Sequence, residues 1–426
     1  MRTWCLLLLL IPACGSDDAT PASVGTGGIA GAAGLAGSGG SAGIGGAAGS
    51  GGAAGVDGGT TALCSKVIGF TQPLPQCSPE TPCDRPADEL NGQVLTSPST
   101  PPSCPAGTTL MQQDVLGVTR YACAAEPPGA SVTSKRPLIL WFHPGGDGAD
   151  TISETGLVSK SAAYDLTGDS SRPGFHLVAV QGRNLRFPTQ APRDGRHHDF
   201  YHRDLSSPSS NPDIAFADAL VDSLVAGGTV DEKRIYVMGW SNGGFFAQLY
   251  AIARHDTATP GGQRVAAGAV FATASPFDDV RWDPFANVPR TPDGACRVDA
   301  LPSVAVPILL VYRTCDAAVA ATPEQASCFD TEPGYVTEPW IDAAKAAGIS
   351  MTSLRLGGRE AGATLDVEGP ASSSTCTSTE CTLPISYGCY CLVNHLIWPD
   401  GAYNKGSSNI DHEPAMLDSL RKNPLP

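Results

Sequence analysis

The sequence predicts an α/β fold, a mostly parallel sheet with helices on both faces, and three observations carry that expectation. Apolar, β-branched runs alternate with segments of helical period from about residue 108 to the end of the chain. One run, Arg234–Met238, passes into Gly239-Trp240-Ser241-Asn242-Gly243 and then into Phe245, Phe246, Leu249 and Ile252 at helical spacing. Further polar candidates follow the ends of other apolar runs, and in such sheets functional groups gather at the carboxyl ends of strands.

Taken in order, the chain opens with Met1-Arg2 and a short apolar run, Leu6–Ile11, too short to span a bilayer. Ile11-Pro12-Ala13-Cys14, followed by Gly15-Ser16-Asp17-Asp18, resembles a bacterial lipoprotein signal. That resemblance implies removal of residues 1–13, lipid on the Cys14 sulfur and attachment to a membrane surface. Gly15 after the cysteine resembles lipoproteins sorted to the outer membrane or cell surface. Residues 14–62 are rich in Gly, Ala and Ser and read as a flexible, disordered tether. About forty such residues have an r.m.s. span of roughly 35 Å. Residues 63–106 form a Pro- and Cys-rich extension with Cys64, Cys77, Cys83 and Cys104, expected to be stapled by disulfides and wrapped on the main domain. The 14 cysteines point to an oxidising, extracytoplasmic compartment, and twelve remain if Cys5 is removed and Cys14 is lipidated. A formal charge of −15 with no basic stripe speaks against a nucleic-acid partner.

The main domain is expected over 107–426. Thr108–Gln113 and Val118–Ala124 suit an antiparallel pair around Gly117, and Leu138–Phe142 a buried strand entered through Pro137. Phe175–Gln181 is the next strand. Asn211 is a plausible helix cap, Pro212 fits the first helical position, and Ile214, Ala217, Leu220, Val221 and Leu224 line one face. After the Arg234–His255 strand and helix come strands at Val265–Thr273 and Pro307–Tyr312, a helix at Glu338–Ala347, a strand at Met351–Leu356 and a closing helix at Glu413–Arg421.

The Gly-x-Ser-x-Gly between strand and helix makes Ser241 the candidate nucleophile. Such a turn strains the serine backbone, and the flanking glycines let the chain pass close on either side. It also puts the Asn242 N–H at a helix start, facing a developing oxyanion. Asp316 follows the Pro307–Tyr312 strand and is the candidate acid, with Asp330 and Asp366 as rivals. His395 follows an expected strand, Cys389–Val393, and is the candidate base, with His412 as rival. In the triad logic His395 takes the Ser241 proton and Asp316 holds the tautomer. Gly145 or Gly146, in His143-Pro-Gly-Gly, is the expected second oxyanion donor. Trp240 and Trp398 are candidate substrate-binding rings, although aromatic residues of this kind are more often core. His197-His198-Asp199, with His202 and Asp204, matches no closed zinc pattern and reads as a polar loop near the cleft. Neither metal nor other cofactor is expected.

With these residues in place, the chain from about Gly107 resembles the extracellular polyhydroxybutyrate depolymerase and feruloyl esterase family of α/β-hydrolases. Arg120-Tyr121 with His143-Pro-Gly-Gly, Asp213–Asp218, Arg234–Gly244, Asp316–Val319, and His395 with Trp398-Pro399 carry the resemblance. It implies a Ser241, Asp316, His395 triad and hydrolysis of carboxylic esters through an acyl-enzyme, the substrate being a polyhydroxyalkanoate-type polyester or feruloyl- or acetyl-type esters of polysaccharide. The chain departs from the family pattern at Pro144 for Gly, Tyr312-Arg313 for His-Gly and Asn394 for Gly, and cysteines crowd Cys376–Cys391. A serine peptidase and a non-catalytic binding protein on the same scaffold are the competing readings.

Overall fold

Eight strands make one sheet in this computed structural model, which describes residues 101–185, 193–200, 205–277, 282–283, 288–289, 301–314, 316, 318–323, 325, 335–357, 394–402 and 410–426. The lipidation signal, the tether, nearly all of the Cys-rich extension, His202, Asp204, Asp330, Asp366 and Cys376–Cys391 lie outside the described residues.

The strands are β1 Thr109–Val115, β2 Val118–Ala125, β3 Arg136–Phe142, β4 His176–Val180, β5 Val230–Trp240, β6 Ala267–Phe271, β7 Pro307–Arg313 and β8 Ser350–Leu356. Their order across the sheet is β1-β2-β4-β3-β5-β6-β7-β8. Strand β2 is antiparallel to both neighbours, and every other adjacent pair is parallel. This is the strand order of an α/β-hydrolase, so the predicted fold class holds. The predicted β1–β2 pair meets at Val115 and Val118, around a turn in which Gly117 has φ 79°.

Helices α1 Leu157–Ala163, α2 Pro212–Ala226, α3 Asn242–His255, α4 Thr337–Ala347 and α5 Glu413–Arg421 cover the sheet. All seven residues of β3 are buried, and alternate side chains feed two separate cores. Leu138, Leu140 and Phe142 join residues of α2, α3 and α4, such as Leu220, Phe246 and Trp340. Ile139 and Trp141 join residues of α1 and α5, such as Leu157, Leu417 and Leu420. Each such side chain contributes on the order of 1.5–3 kcal/mol by leaving water. Asn211 caps α2 as expected, accepting from the N–H groups of Asp213 (2.8 Å) and Ile214 (3.3 Å), with Pro212 at the first helical position.

Three elements differ from expectation. Strand β5 starts earlier, at Val230, because Val230 is itself buried beside Arg136 of β3. Strand β6 is shorter than Val265–Thr273, since Ala272 turns to φ 52° and ends it. Helix α1 has no counterpart in the sequence reading: of its seven residues only Leu157 and Ser161 are buried, too few to mark a period. Cys104 bonds to Cys123 of β2, so this end of the Cys-rich extension is stapled to the main domain.

Candidate active site

Strand β5 ends at Trp240, helix α3 starts at Asn242, and Ser241 alone makes the turn, with φ 53° and ψ −122°. Non-glycine residues reach this region only at a cost of about 1–3 kcal/mol. The turn holds because Ser241 N–H donates to the Phe271 carbonyl (3.0 Å), while its own carbonyl accepts from Gly244 (2.8 Å) and Phe245 (3.0 Å). The flanking glycines are required sterically. A Cβ on Gly239 would run into the Gly243 carbonyl, and one on Gly243 into the Phe142 carbonyl.

Asp316 follows the end of β7 and is 1 % exposed. Its Oδ1 accepts from the amides of Ala318 (2.8 Å) and Val319 (2.9 Å), leaving Oδ2 for His395 Nδ1 at 2.9 Å. With its Nδ1–H donating to that carboxylate, His395 turns Nε2 to accept from the Ser241 hydroxyl, 2.7 Å away. The candidate acid, base and nucleophile thus form one hydrogen-bonded chain, and Ser241 stands at the start of a helix whose dipole favours negative charge. His412, the rival base, is buried at the start of α5, where its carbonyl accepts from Met416 (3.2 Å).

The loop carrying His395 is held through its carbonyls. Trp240 donates its indole N–H to the His395 carbonyl (2.8 Å), and Arg313 donates to those of Asn394 (2.9 Å) and Ile397. Trp398 packs edge-on to Trp141 and Phe271 and donates its indole N–H to Glu413 (2.6 Å). Trp240 and Trp398 are each 2 % exposed. Their faces and N–H groups are spent beneath the base, which corrects the expectation of a substrate-facing role.

The His143-Pro-Gly-Gly loop leaves β3 beside this turn. The Asp147 N–H donates to the Pro144 carbonyl (3.3 Å), and Gly146 supplies the left-handed φ of 88° that the turn needs. His143 Nε2 accepts from Gly182 N–H (2.9 Å), so its proton sits on Nδ1 and goes to the Pro144 carbonyl (2.8 Å). Pro144 therefore serves the loop through its carbonyl, and its missing N–H is not needed there. A Cβ added to Gly145 would lie 3.3 Å from Asn242 Cβ and 3.2 Å from His197 Nε2, so this glycine adjoins the nucleophile turn. The two predicted sources of oxyanion donors are neighbours.

The His197-His198-Asp199 segment adjoins the nucleophile turn, as the reading of a polar loop near the cleft expects, and it is buried. A ribbon of Arg183–Leu185 with Arg193–His197 leads into it. The Asn242 side chain grips it, accepting from His198 N–H (2.8 Å) and donating to His198 carbonyl (3.1 Å). Behind it lies a buried charge network. Arg183 pairs with Asp199, Arg120 with Asp213 (2.5 Å), and Asp199 N–H donates to Asp213 (2.7 Å). The His198 ring stacks on Phe246 and meets Phe142 edge-on, and among the described residues neither ring nitrogen has a hydrogen-bond partner. Burial pushes its pKa well below that of free histidine, so it is neutral. No group of three His, Cys, Asp or Glu side chains is arranged to hold a metal among the described residues. Sequence reasoning missed the support given by His143, Asn242's amide and Arg313. The one available signal was the departure at Arg313 itself.

No family model matches the chain. A curated relative, "Putative esterase NocK" of Nocardia uniformis subsp. tsuyamanensis, is 29 % identical over 185 residues, 42 % of this chain and 48 % of the relative. The chain thus spans about half the length of that relative. Among solved structures, an esterase of Pyrobaculum calidifontis aligns at 16 % identity and TM-score 0.37, over 59 % of this chain and 76 % of its own. Thermogutta terrifontis esterase 2 aligns at 16 % identity and TM-score 0.37, over 60 % and 84 %.

Proposed function

We propose that this protein is a serine esterase that hydrolyses carboxylic esters through an acyl-enzyme. The observation that carries this reading is the Asp316–His395–Ser241 chain, with contacts of 2.9 and 2.7 Å, at a strained turn between strand and helix. His395 removes the hydroxyl proton as Ser241 Oγ attacks the ester carbonyl. The resulting oxyanion lies toward the N–H groups of Asn242 and Gly145 or Gly146. Losing one such donor typically costs on the order of 10²–10³ in rate. His395 then protonates the departing alcohol, and water, activated by the same imidazole, releases the acid. The similarity to a relative named as an esterase supports ester over amide chemistry.

The family resemblance supports polyester or feruloyl- and acetyl-type polysaccharide esters as substrates. Cys14 in its signal context supports a lipid-anchored enzyme at the outer membrane or cell surface, and the Cys104–Cys123 disulfide fits an oxidising compartment. The test is labelling by a fluorophosphonate probe, with Ser241→Ala alongside. Labelling of the parent alone is expected, followed by turnover of an ester within a panel of short-chain, feruloyl and hydroxybutyrate esters. A folded parent that stays unlabelled would sink the esterase reading in favour of a binding protein, and preferential amide cleavage would favour a peptidase. Incorporation of a fatty-acid analogue, lost in Cys14→Ala, tests the anchor.

A further inference from the structure

We propose that Arg313 is a positioning residue for His395: it straps the base loop to the strand that carries the acid. The proposal rests on the esterase reading for its kinetic consequence and on geometry alone for its structural one. Arg313 is the last residue of β7, three before Asp316, and is fully buried. Its Nη1 donates to two carbonyls of the base loop, those of Asn394 (2.9 Å) and Ile397, on either side of His395. The carbonyl of His395 itself is taken by the indole N–H of Trp240 (2.8 Å), the residue before Ser241. Each strand that delivers another member of the chain therefore also sends a side chain to the loop that delivers the base.

The arrangement has a physical rationale. Among the described residues, 394–396 around His395 are helical, and Arg313 and Trp240, from outside this stretch, donate the hydrogen bonds that hold it. The His395 ring must meet Asp316 on one side and Ser241 on the other, so a small rotation of the loop breaks both contacts. A guanidinium has five donors in a rigid fork and stays charged when buried. The Arg313 guanidinium also lies over the ring of Phe271, 4.8 Å from its centroid, which fixes its plane. Phe271 supplies the carbonyl that anchors Ser241 N–H. One cation thus spans the acid's strand, the base loop and the residue beneath the nucleophile. Arg313 touches none of the three reacting side chains in these contacts, so its role is exercised through the loop.

The test compares parent, Arg313→Lys and Arg313→Met by steady-state kinetics on a short-chain ester, fluorophosphonate labelling rate, and proton NMR of the far-downfield resonance of His395 Nδ1–H. Lysine keeps the charge and a donor but loses the planar fork, and it provides a folded variant should the methionine variant fail to fold. A misplacement of about 1 Å near the chemistry costs roughly 10²-fold. We expect kcat and labelling rate to fall at least about tenfold in Arg313→Lys and about 10²-fold in Arg313→Met, with KM within about twofold. We also expect the downfield resonance to broaden or shift in both. Parent-like kcat and an unmoved resonance in a folded Arg313→Lys would overturn the proposal. If the parent labels with no probe and cleaves no ester, the esterase reading fails separately. The resonance still decides whether Arg313 orients His395.

Discussion

A neutral imidazole with both nitrogens unpartnered among the described residues, as at His198, leaves a donor and an acceptor unsatisfied in the core. Each such group costs on the order of 1–3 kcal/mol. Its neighbours Phe142 and Phe246 already form an aromatic slot, so His198→Phe should be at least as stable as the parent at pH 7.5. The sign of the pH effect follows from linkage. Burial depresses the folded pKa below 6.5, so the unfolded chain binds the extra proton. The stability associated with His198 is complete above about pH 6.5 and is lost as pH falls toward the folded pKa, by up to about 1.4 kcal/mol per unit. Urea unfolding at pH 7.5, 6.5 and 5.5 should therefore show the advantage of His198→Phe growing toward acid. An advantage independent of pH would refute the buried neutral state. Beside it, Asn242→Ala keeps its backbone N–H but releases the His198 main chain. We expect kcat to fall between about ten- and 10²-fold with little change in KM, and parent-like kcat would show that the grip is structurally idle.

Among the elements, the staple between Cys104 and Cys123 of β2 closes a loop across 19 positions and should stabilise by about 3 kcal/mol. Replacing both cysteines by alanine should lower the urea midpoint accordingly while leaving kcat at 25 °C unchanged. A midpoint within error of the parent would mean that the segment is held by other contacts. What was legible in the sequence follows from what each element uses locally. The β5–α3 turn, the Asn211 cap and the buried β3 strand are specified by neighbours in sequence, and all were read correctly. Ser241, Asp316 and His395, which the structure joins by hydrogen bonds, could be singled out in the sequence because each was read after an apolar run or glycine pattern. The supports could not. Asn211 donates its amide to the Asp199 carbonyl (2.7 Å), and His143 accepts from Gly182, 39 residues away. Tertiary partners of that kind leave no periodicity. For the same reason the burial of the His-His-Asp segment was not legible, since it depends on Arg183, Arg120 and Asp213 arriving from elsewhere. The lack of a local signal also left Trp240 and Trp398 open to a substrate role that their packing excludes.

Across the whole molecule, distant segments converge on one end of the sheet, and Glu413 shows how they are tied. Its fully buried carboxylate accepts from Trp398 (2.6 Å), from Gly156 N–H (2.9 Å) and from Lys160 (2.6 Å), joining α1, α5 and the base loop. Burial raises the Glu413 pKa, opposed by its contacts with Lys160 and Trp398. Breaking such a buried pair typically costs 3–5 kcal/mol. Because Lys160 keeps Asp411 at 2.7 Å, we expect Glu413→Ala to cost about 3 kcal/mol, together with a fall in kcat as Trp398 loosens under His395. Thermal unfolding and kinetics separate the two effects, and unchanged stability would refute the tie. Global stability also records the backbone of one residue. A serine or an alanine at 241 must be forced to φ 53°, whereas glycine goes there freely. Glycine gives the unfolded chain roughly 0.5–1 kcal/mol of extra entropy, less than the roughly 1–3 kcal/mol of strain it relieves. Of two variants that both lack the hydroxyl, Ser241→Gly should therefore unfold at higher urea than Ser241→Ala. The gap between them, with glycine's roughly 0.5–1 kcal/mol of unfolded-state entropy added back, is the free energy that the native fold holds in reserve at residue 241.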